Sequence, residues 1–235
     1  MNTRFVASLG VVALTALLDA QQPASNTLLA RVDHLVFATP DLQRGIDAIE
    51  QQLGVKATPG GQHPGLGTRN ALVALGPTSY LEIIGPDPDQ PKPAGPRRFG
   101  IDDLTAPRIV RWVVKSSELE AVLVRAARSN VTLGAVTSGS RRRPDGVMLS
   151  WRYTDPNTVA ADGLVPFFID WGASPHPALT AARGASLVRL GAQHPDPELV
   201  QRMLDRLGLD LRVTGGFPPA IIATIDSPRG RVQLQ

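Results

Sequence analysis

One order of elements occurs three times along this chain, and it constrains the fold more than any single motif. The first copy opens with the strand-like Arg31 to Phe37. It breaks at Thr39-Pro40-Asp41, continues as a helical stretch from Leu42 to Leu53 stopped by Gly54, and ends in three strand candidates, Val55 to Thr58, Asn70 to Leu75 and Tyr80 to Ile84. Thr39 or Asp41 suits a helix N-cap, Pro40 the first turn and Gly54 the left-handed stop. The second copy runs from Arg108 to Val114 through Ser116-Ser117-Glu118 and a helix ending near Arg128. Its strands are expected at Thr132 to Thr137, Val147 to Tyr153 and Val165 to Trp171. A third, shorter copy runs from Ser186 to Leu190 through His194-Pro195-Asp196 and a helix from Glu198 to Leu207. Strands at Leu211 to Thr214, Ala220 to Ile225 and Arg231 to Leu234 complete it. Strand-rich βαβββ units with turn signals such as Pro144-Asp145-Gly146 predict an α+β fold with mostly antiparallel sheets. The expected organisation is a body over 31–178, with modules at 31–85 and 108–172, and a third module over 184–235. The Pro- and Asp-rich stretch from Gly85 to Pro107 reads as a connector on the surface or at a site mouth.

The start of the chain differs in kind from the rest. Arg4 precedes an apolar run from Phe5 to Leu18, and Leu18-Asp19-Ala20 then gives way to the polar Gln21-Gln22-Pro23. This pattern predicts a signal peptide over 1–20 and a linker over 21–30, with a periplasmic or secreted product and no membrane contact after cleavage. A retained signal-anchor stays open, although the run is shorter than the ~20 residues a spanning helix needs. The sequence contains no cysteine, which excludes disulfides, thiolate chemistry and a lipid-modified cysteine anchor. With 24 basic against 21 acidic residues, the charge balance gives no reason to expect nucleic acid as a partner. The Arg141-Arg142-Arg143 run, ahead of a turn, is expected to decorate an exposed hairpin.

Four phrases then stand in order: Asp33-His34-Leu35-Val36, the stretch from Gly61 to Leu72, Tyr80-Leu81-Glu82-Ile83-Ile84 and Phe167-Phe168-Ile169-Asp170-Trp171-Gly172. Together they resemble the glyoxalase-like branch of the vicinal oxygen chelate superfamily, over most of residues 32–177 and over the third copy only by pattern. The resemblance implies paired βαβββ modules whose curved mixed or antiparallel sheets enclose a cleft. In many members a divalent metal there binds two neighbouring oxygens of a small molecule, held by two ligands from the first and last strands of each module. His34 and Glu82 match one such half-site, and an imidazole with a carboxylate suits Zn²⁺, Fe²⁺, Mn²⁺ or Ni²⁺. Arg111 in the second module and Arg189 in the third stand where the first has His34, and arginine offers only donors. Phe168, Ile169 or Asp170 would match Glu82, depending on register. A complete four-ligand site is therefore not expected, and a pocket without metal stays open.

Each remaining candidate has two readings. His34 is a ligand or acid/base group, or a buried histidine satisfied by Asp33 or the backbone. Glu82, between Leu81 and Ile83, needs a partner if buried: His34, a metal or an arginine. His63, in the glycine-rich stretch from Gly60 to Asn70, is a catalytic or third metal-binding group, or it shapes a hairpin loop. Arg111, with Trp112 beside it, binds a substrate carboxylate or phosphate, or pairs internally with Glu82 or Asp170. Asn70 and Arg98 are further substrate-binding candidates. His176 and His194, each followed by proline, suit turns and caps. No serine-hydrolase elbow, His-Glu-x-x-His helix or dinucleotide fingerprint is present.

Two functions follow. The first is a lyase, isomerase or dioxygenase-type enzyme for a small anionic or carbonyl-containing molecule, with Glu82 and His63 as catalytic groups and His34 and Glu82 holding a metal. The second is a non-catalytic protein that sequesters a small molecule without metal. The odd third module must cover an exposed sheet edge or pair with another chain as a homodimer.

Overall fold

A computed structural model describes residues 28–235. The predicted leader and most of the predicted linker lie outside the described residues. After a single helical turn, α1 (Leu28–Arg31), the first module comprises β1 (Val32–Ala38), α2 (Leu42–Leu53), β2 (Thr58–His63), β3 (Thr68–Gly76) and β4 (Ser79–Pro86). The second comprises β5 (Arg108–Lys115), α3 (Leu119–Arg128), β6 (Val136–Arg142), β7 (Met148–Thr154) and β8 (Phe167–Asp170). The α2 boundaries are chemically specified: the Asp41 carboxylate accepts from the Arg44 N–H, and Gly54 closes the helix with φ 68°.

The two modules form one eight-stranded sheet of order β2-β3-β4-β1-β5-β8-β7-β6, which reads symmetrically outward from its centre. Within each module the first strand pairs in parallel with the last, and the modules join through the antiparallel β1–β5 pair. The sheet curves until it is nearly a barrel. Its two edges approach each other where an ideal Cβ on Gly61 would lie 2.6 Å from the Arg142 carbonyl oxygen. Only a glycine, here with φ 137°, fits that contact.

The stretch from Gly60 to His63, expected as loop, is therefore part of a strand, and the loop shrinks to residues 64–67. An ideal Cβ on Gly60 would lie 2.1 Å from Asn70 Oδ1, so the glycines let side chains and a neighbouring strand close in. Likewise β6 runs from 136 to 142 rather than from 132 to 137. Gly134 is wedged against Asp155 and Thr158 in a connector ahead of the strand.

The third segment holds β9 (Ser186–His194), α4 (Pro197–Arg206), β10 (Arg212–Gly215), β11 (Ala220–Ser227) and β12 (Gly230–Leu234). It repeats the element order but not the wiring. Its sheet order is β10-β9-β11-β12, so the first strand pairs with the second and third rather than the last. Nor does it cover a sheet edge, the first of the two roles expected of it. Leu190, Ala192, Ile221, Ala223 and Ile225 share one core with Leu35, Phe37, Trp112, Val114 and the buried faces of α2 and α3. The small sheet thus packs on the outer face of the large one, where burying each leucine, isoleucine or valine contributes roughly 1.5–3 kcal/mol. Among the described residues no helix is long and apolar enough to cross a membrane.

Candidate functional site

The inner face of the curved sheet encloses a cavity of about 300 Å³. One wall is polar and comes from the first module: His34, His63, Asn70, Tyr80 and Glu82. The opposite wall is aromatic and comes mostly from the second: Trp151, Tyr153, Phe167 and Trp171. Arg98 and Arg141 reach it from the connector and from β6. Glu82 is the only carboxylate among the described lining residues, facing two guanidinium groups, so the cavity favours an anionic guest.

A register shift in β1 between Val32 and His34 explains how two consecutive residues serve the site. Asp33 is fully buried, and its Oδ1 lies 2.7 Å from His34 Nδ1. Trp171 Nε1 donates to both carboxylate oxygens at 3.2 and 3.1 Å, and His176 Nε2 lies 3.1 Å from Oδ2. Burial alone would push the Asp33 carboxyl up. The hydrogen bonds from His176 and His34 outweigh it and hold the group below the usual carboxylate range. The His176 tautomer is set by the chain: its Nδ1 accepts from the Ala178 N–H, which leaves Nε2–H to donate. His176 thus caps a turn, as expected, and also anchors Asp33.

The same reasoning fixes the two cavity imidazoles. His34 donates through Nδ1 to Asp33, so its bare Nε2 turns to Glu82 Oε2, 3.8 Å away. Asn70 Nδ2 donates to Glu82 Oε1 at 2.6 Å and lies 3.3 Å from His63 Nε2, which makes that nitrogen an acceptor. His63 Nδ1 then donates to Thr68 Oγ1 at 3.0 Å, and its Nε2 lies 3.7 Å from Glu82 Oε1. Two imidazole lone pairs therefore flank one carboxylate at separations too long for direct hydrogen bonds. The cluster is rich in acceptors and short of donors. Tyr80 stacks on His34 with ring centroids 4.6 Å apart, and burial raises its phenol well above the ordinary value, so it stays protonated.

Burial, opposed by Glu82 and reinforced by Arg141 and Arg98, pushes the His63 imidazole down to about 4. The unfolded chain protonates it near 6.5. Native protein therefore binds fewer protons than unfolded protein between these values, and stability falls as pH drops through that window. Between pH 7 and pH 4.5 this residue alone costs about 2–3 kcal/mol. Urea titrations at both pH values should show that loss in the wild type and a much smaller one in His63→Gln.

The superfamily commonly employs divalent metals, and the donor chemistry here fits one in part. His34 Nε2, His63 Nε2 and Glu82 make a two-imidazole, one-carboxylate set, and Asp33 orients His34 as a carboxylate orients a metal-bound imidazole. Among the described residues, however, no three His, Cys, Asp or Glu side chains are grouped closely enough to hold an ion in the present geometry. The half-site expected to be missing is absent: Phe167 and Ile169 line the cavity, while Asp170 turns away and accepts from the Gly172 N–H.

Two sequence expectations are corrected. Trp112 does not line the cavity; it is fully buried on the opposite face of β5, its Nε1 donating to the Leu164 carbonyl at 2.7 Å. Arg111 makes no ion pair with Glu82 or Asp170. It does hold in β5 the place that His34 holds in β1, since Arg111 pairs with Val36 as Val113 pairs with His34, but its guanidinium carbon lies 5.8 Å from the centroid of Phe167, whose ring stands between it and His34. Conversely, Arg141 was expected on an exposed hairpin and is buried, donating to the Gly60 carbonyl at the cavity wall. Alternation along β6 sends Arg141 inward and Arg142 outward, a signal visible only once the strand is extended to Arg142.

The sequence profile of the glyoxalase-like domain matches residues 32–208. The chain belongs to the glyoxalase-like domain family. That family is a branch of the vicinal oxygen chelate superfamily. A hypothetical protein from Staphylococcus aureus is 13% identical, covering 86% of this chain and 83% of its own, with a TM-score of 0.56. That likeness shows a shared fold. Methylmalonyl-CoA epimerase from Mycobacterium tuberculosis is 20% identical over 63% of this chain and 91% of its own, with a TM-score of 0.41. The Streptomyces coelicolor epimerase, in complex with 2-nitronate-propionyl-CoA, is 16% identical over 61% and 96%, with a TM-score of 0.42. At those scores neither epimerase bears on what this chain does. No curated protein matches the sequence.

Proposed function

We propose that this glyoxalase-like protein is an isomerase- or lyase-type enzyme that moves a proton beside the carbonyl of a small anionic molecule. The observation that carries the reading is the acceptor-rich cluster of His34, Glu82 and His63 opposite Arg98 and Arg141 in one cavity. Arg98 and Arg141 bind the substrate's carboxylate or comparable anion. The Glu82 carboxylate takes the proton, and His34 Nε2 accepts or returns one as Asp33 stabilises the resulting imidazolium. The aromatic wall keeps water from the reacting carbon, and the two guanidinium groups offset the charge that develops on the carbonyl oxygen. His34, Glu82 and His63 are the residues that would hold a divalent ion, which when bound supplies Lewis-acid polarisation of that oxygen. The predicted leader supports a periplasmic or secreted setting.

The test is hydrogen exchange in D₂O, followed by NMR, over a panel of 2-hydroxy, 2-oxo and malonyl-type acids. It is run with metal-free protein and with Zn²⁺, Mn²⁺, Fe²⁺ or Ni²⁺ added. Exchange at a carbon next to a carbonyl, lost in His34→Gln, is expected. Binding of panel compounds in thermal shift without any exchange would replace this reading with sequestration, which the apolar half contributed by Phe167 and Ile169 favours.

A further inference from the structure

A second cavity, of about 1000 Å³, lies beside the first, and Arg98, Phe99 and Pro156 line both. Its floor is β5, its rim is the connector and the loop after β7, and its far side is closed by β11 of the third segment through Ala220 and Ile221. Arginines 97, 98, 108 and 111 line it against two carboxylate side chains among the described residues, Asp103 and Asp162. Asp162 is already engaged by His194 Nε2 at 3.0 Å, and Arg97 by Asp102. Arg98 is held by the Tyr153 hydroxyl at 2.8 Å, and Arg108 is exposed.

Arg111 is the anomaly. The residue is 3% exposed, and among the described residues its Nε and Nη1 have no hydrogen-bond partner and Nη2 has only the Thr158 carbonyl at 3.3 Å. Asp155 acts on it through space without forming an ion pair. A buried guanidinium with two unpaired nitrogens is costly, and an oxyanion that fills both positions removes the cost. Planar forked donors among further arginines suit the several oxygens of a phosphate group.

We infer that this second cavity is a phosphate-binding annex, in which Arg111 and Arg108 hold the phosphoryl end of an elongated ligand whose other end enters the first cavity past Arg98 and Phe99. The inference deepens the proposed function by naming its substrate class, a phosphorylated small acid or carbonyl compound, and it gives the third segment a role as the annex wall. Phosphate binding itself does not depend on the proton chemistry.

Isothermal titration of the full chain with inorganic phosphate and pyrophosphate at low ionic strength tests it. One equivalent is expected to bind saturably, weakened at least ~10-fold by Arg111→Gln and about 3-fold by Arg108→Gln, which is exposed and spares the fold. Arg142→Gln, exposed and outside both cavities, should leave the affinity unchanged, and Arg141→Gln separates phosphate held in the annex from phosphate held at the first cavity's guanidinium groups. No saturable binding, full affinity in Arg108→Gln, or affinity lost in Arg141→Gln would each overturn the annex. If Arg111→Gln fails to fold, Arg108→Gln decides. Phosphate binding without hydrogen exchange removes the proposed enzyme but keeps the annex, and exchange without phosphate binding does the reverse.

Discussion

Glu82→Gln is expected to lower the rate of hydrogen exchange by about 10²–10⁴-fold, the usual weight of a positioned acid or base, while the protein melts at the same temperature or higher. The two halves of the expectation come from one piece of geometry. Glu82 is 8% exposed and is the only carboxylate among the described residues of the cavity lining. Its oxygens face the lone pairs of His34 at 3.8 Å and His63 at 3.7 Å, with a single donor, Asn70, supplying a hydrogen. Glutamine has the same shape but cannot take a proton, and its amide supplies hydrogens to a cluster that lacks them. Buried acceptors left without a donor cost about 1–3 kcal/mol, so the substitution relieves a local penalty while removing the base. Activity and stability thus move in opposite directions, as they do where a site is built for chemistry at the expense of the fold. An exchange rate equal to the wild type's would remove Glu82 from the reaction. A fall in melting temperature of several degrees would show that the carboxylate serves the fold instead.

The elements were legible because their signals are local. Asp41 and Gly54 bracket α2, and the apolar strands β1 and β5 declare themselves by composition. The modular order predicted two successive βαβββ units, and the family resemblance implied that they pair around a cleft; neither foretold one continuous eight-stranded sheet. What the chain concealed were matters of register and of approach between distant strands. The alignment of copies puts Arg111 where the first copy has His34, and the pairing of His34 with Val113 and of Val36 with Arg111 bears that equivalence out; what keeps Arg111 from the first cavity is the Phe167 ring between it and His34. Arg141 enters that cavity because β6 curls round to β2, a contact that depends on Gly60 and Gly61 and has no signature in either strand alone. The third segment matched in element order and differed in wiring, because hydrophobic periodicity reports which face is buried and not which strand lies alongside. His34, Glu82, His63, Asn70 and Arg98 were singled out from the sequence and do line one cavity. Trp112 was misplaced by one residue of alternation, the error to which strands are most exposed.

The sequence offers Asp33 only as a partner for His34, yet the structure makes it the residue on which the site's order depends. Asp33→Asn is expected to destabilise the protein by about 3–5 kcal/mol, the range for removing one partner of a buried charged network. The carboxylate accepts from His34, from Trp171 on β8's C-terminal side and from His176 beyond it, tying the first strand of one module to the end of the other. Asparagine offers one acceptor oxygen and must aim an N–H at another donor. If that N–H meets His34, the imidazole responds by carrying its proton on Nε2, and the lone pair facing Glu82 is lost. Exchange should then fall by about 10–100-fold, as for other residues that orient a ligand or base. Denaturant titration gives the stability loss, and NMR of the His34 ring nitrogens gives the tautomer. The pH sign is also determined. Asp33 has a folded value below its unfolded one of 3.8, so its contribution is fully present above about pH 4 and is lost as pH falls beneath it. The asparagine variant should therefore differ most from the wild type at neutral pH and approach it in acid. A variant as stable as the wild type at pH 7, with His34 still protonated on Nδ1, would show that Trp171 and His176 hold the modules together without the charge between them.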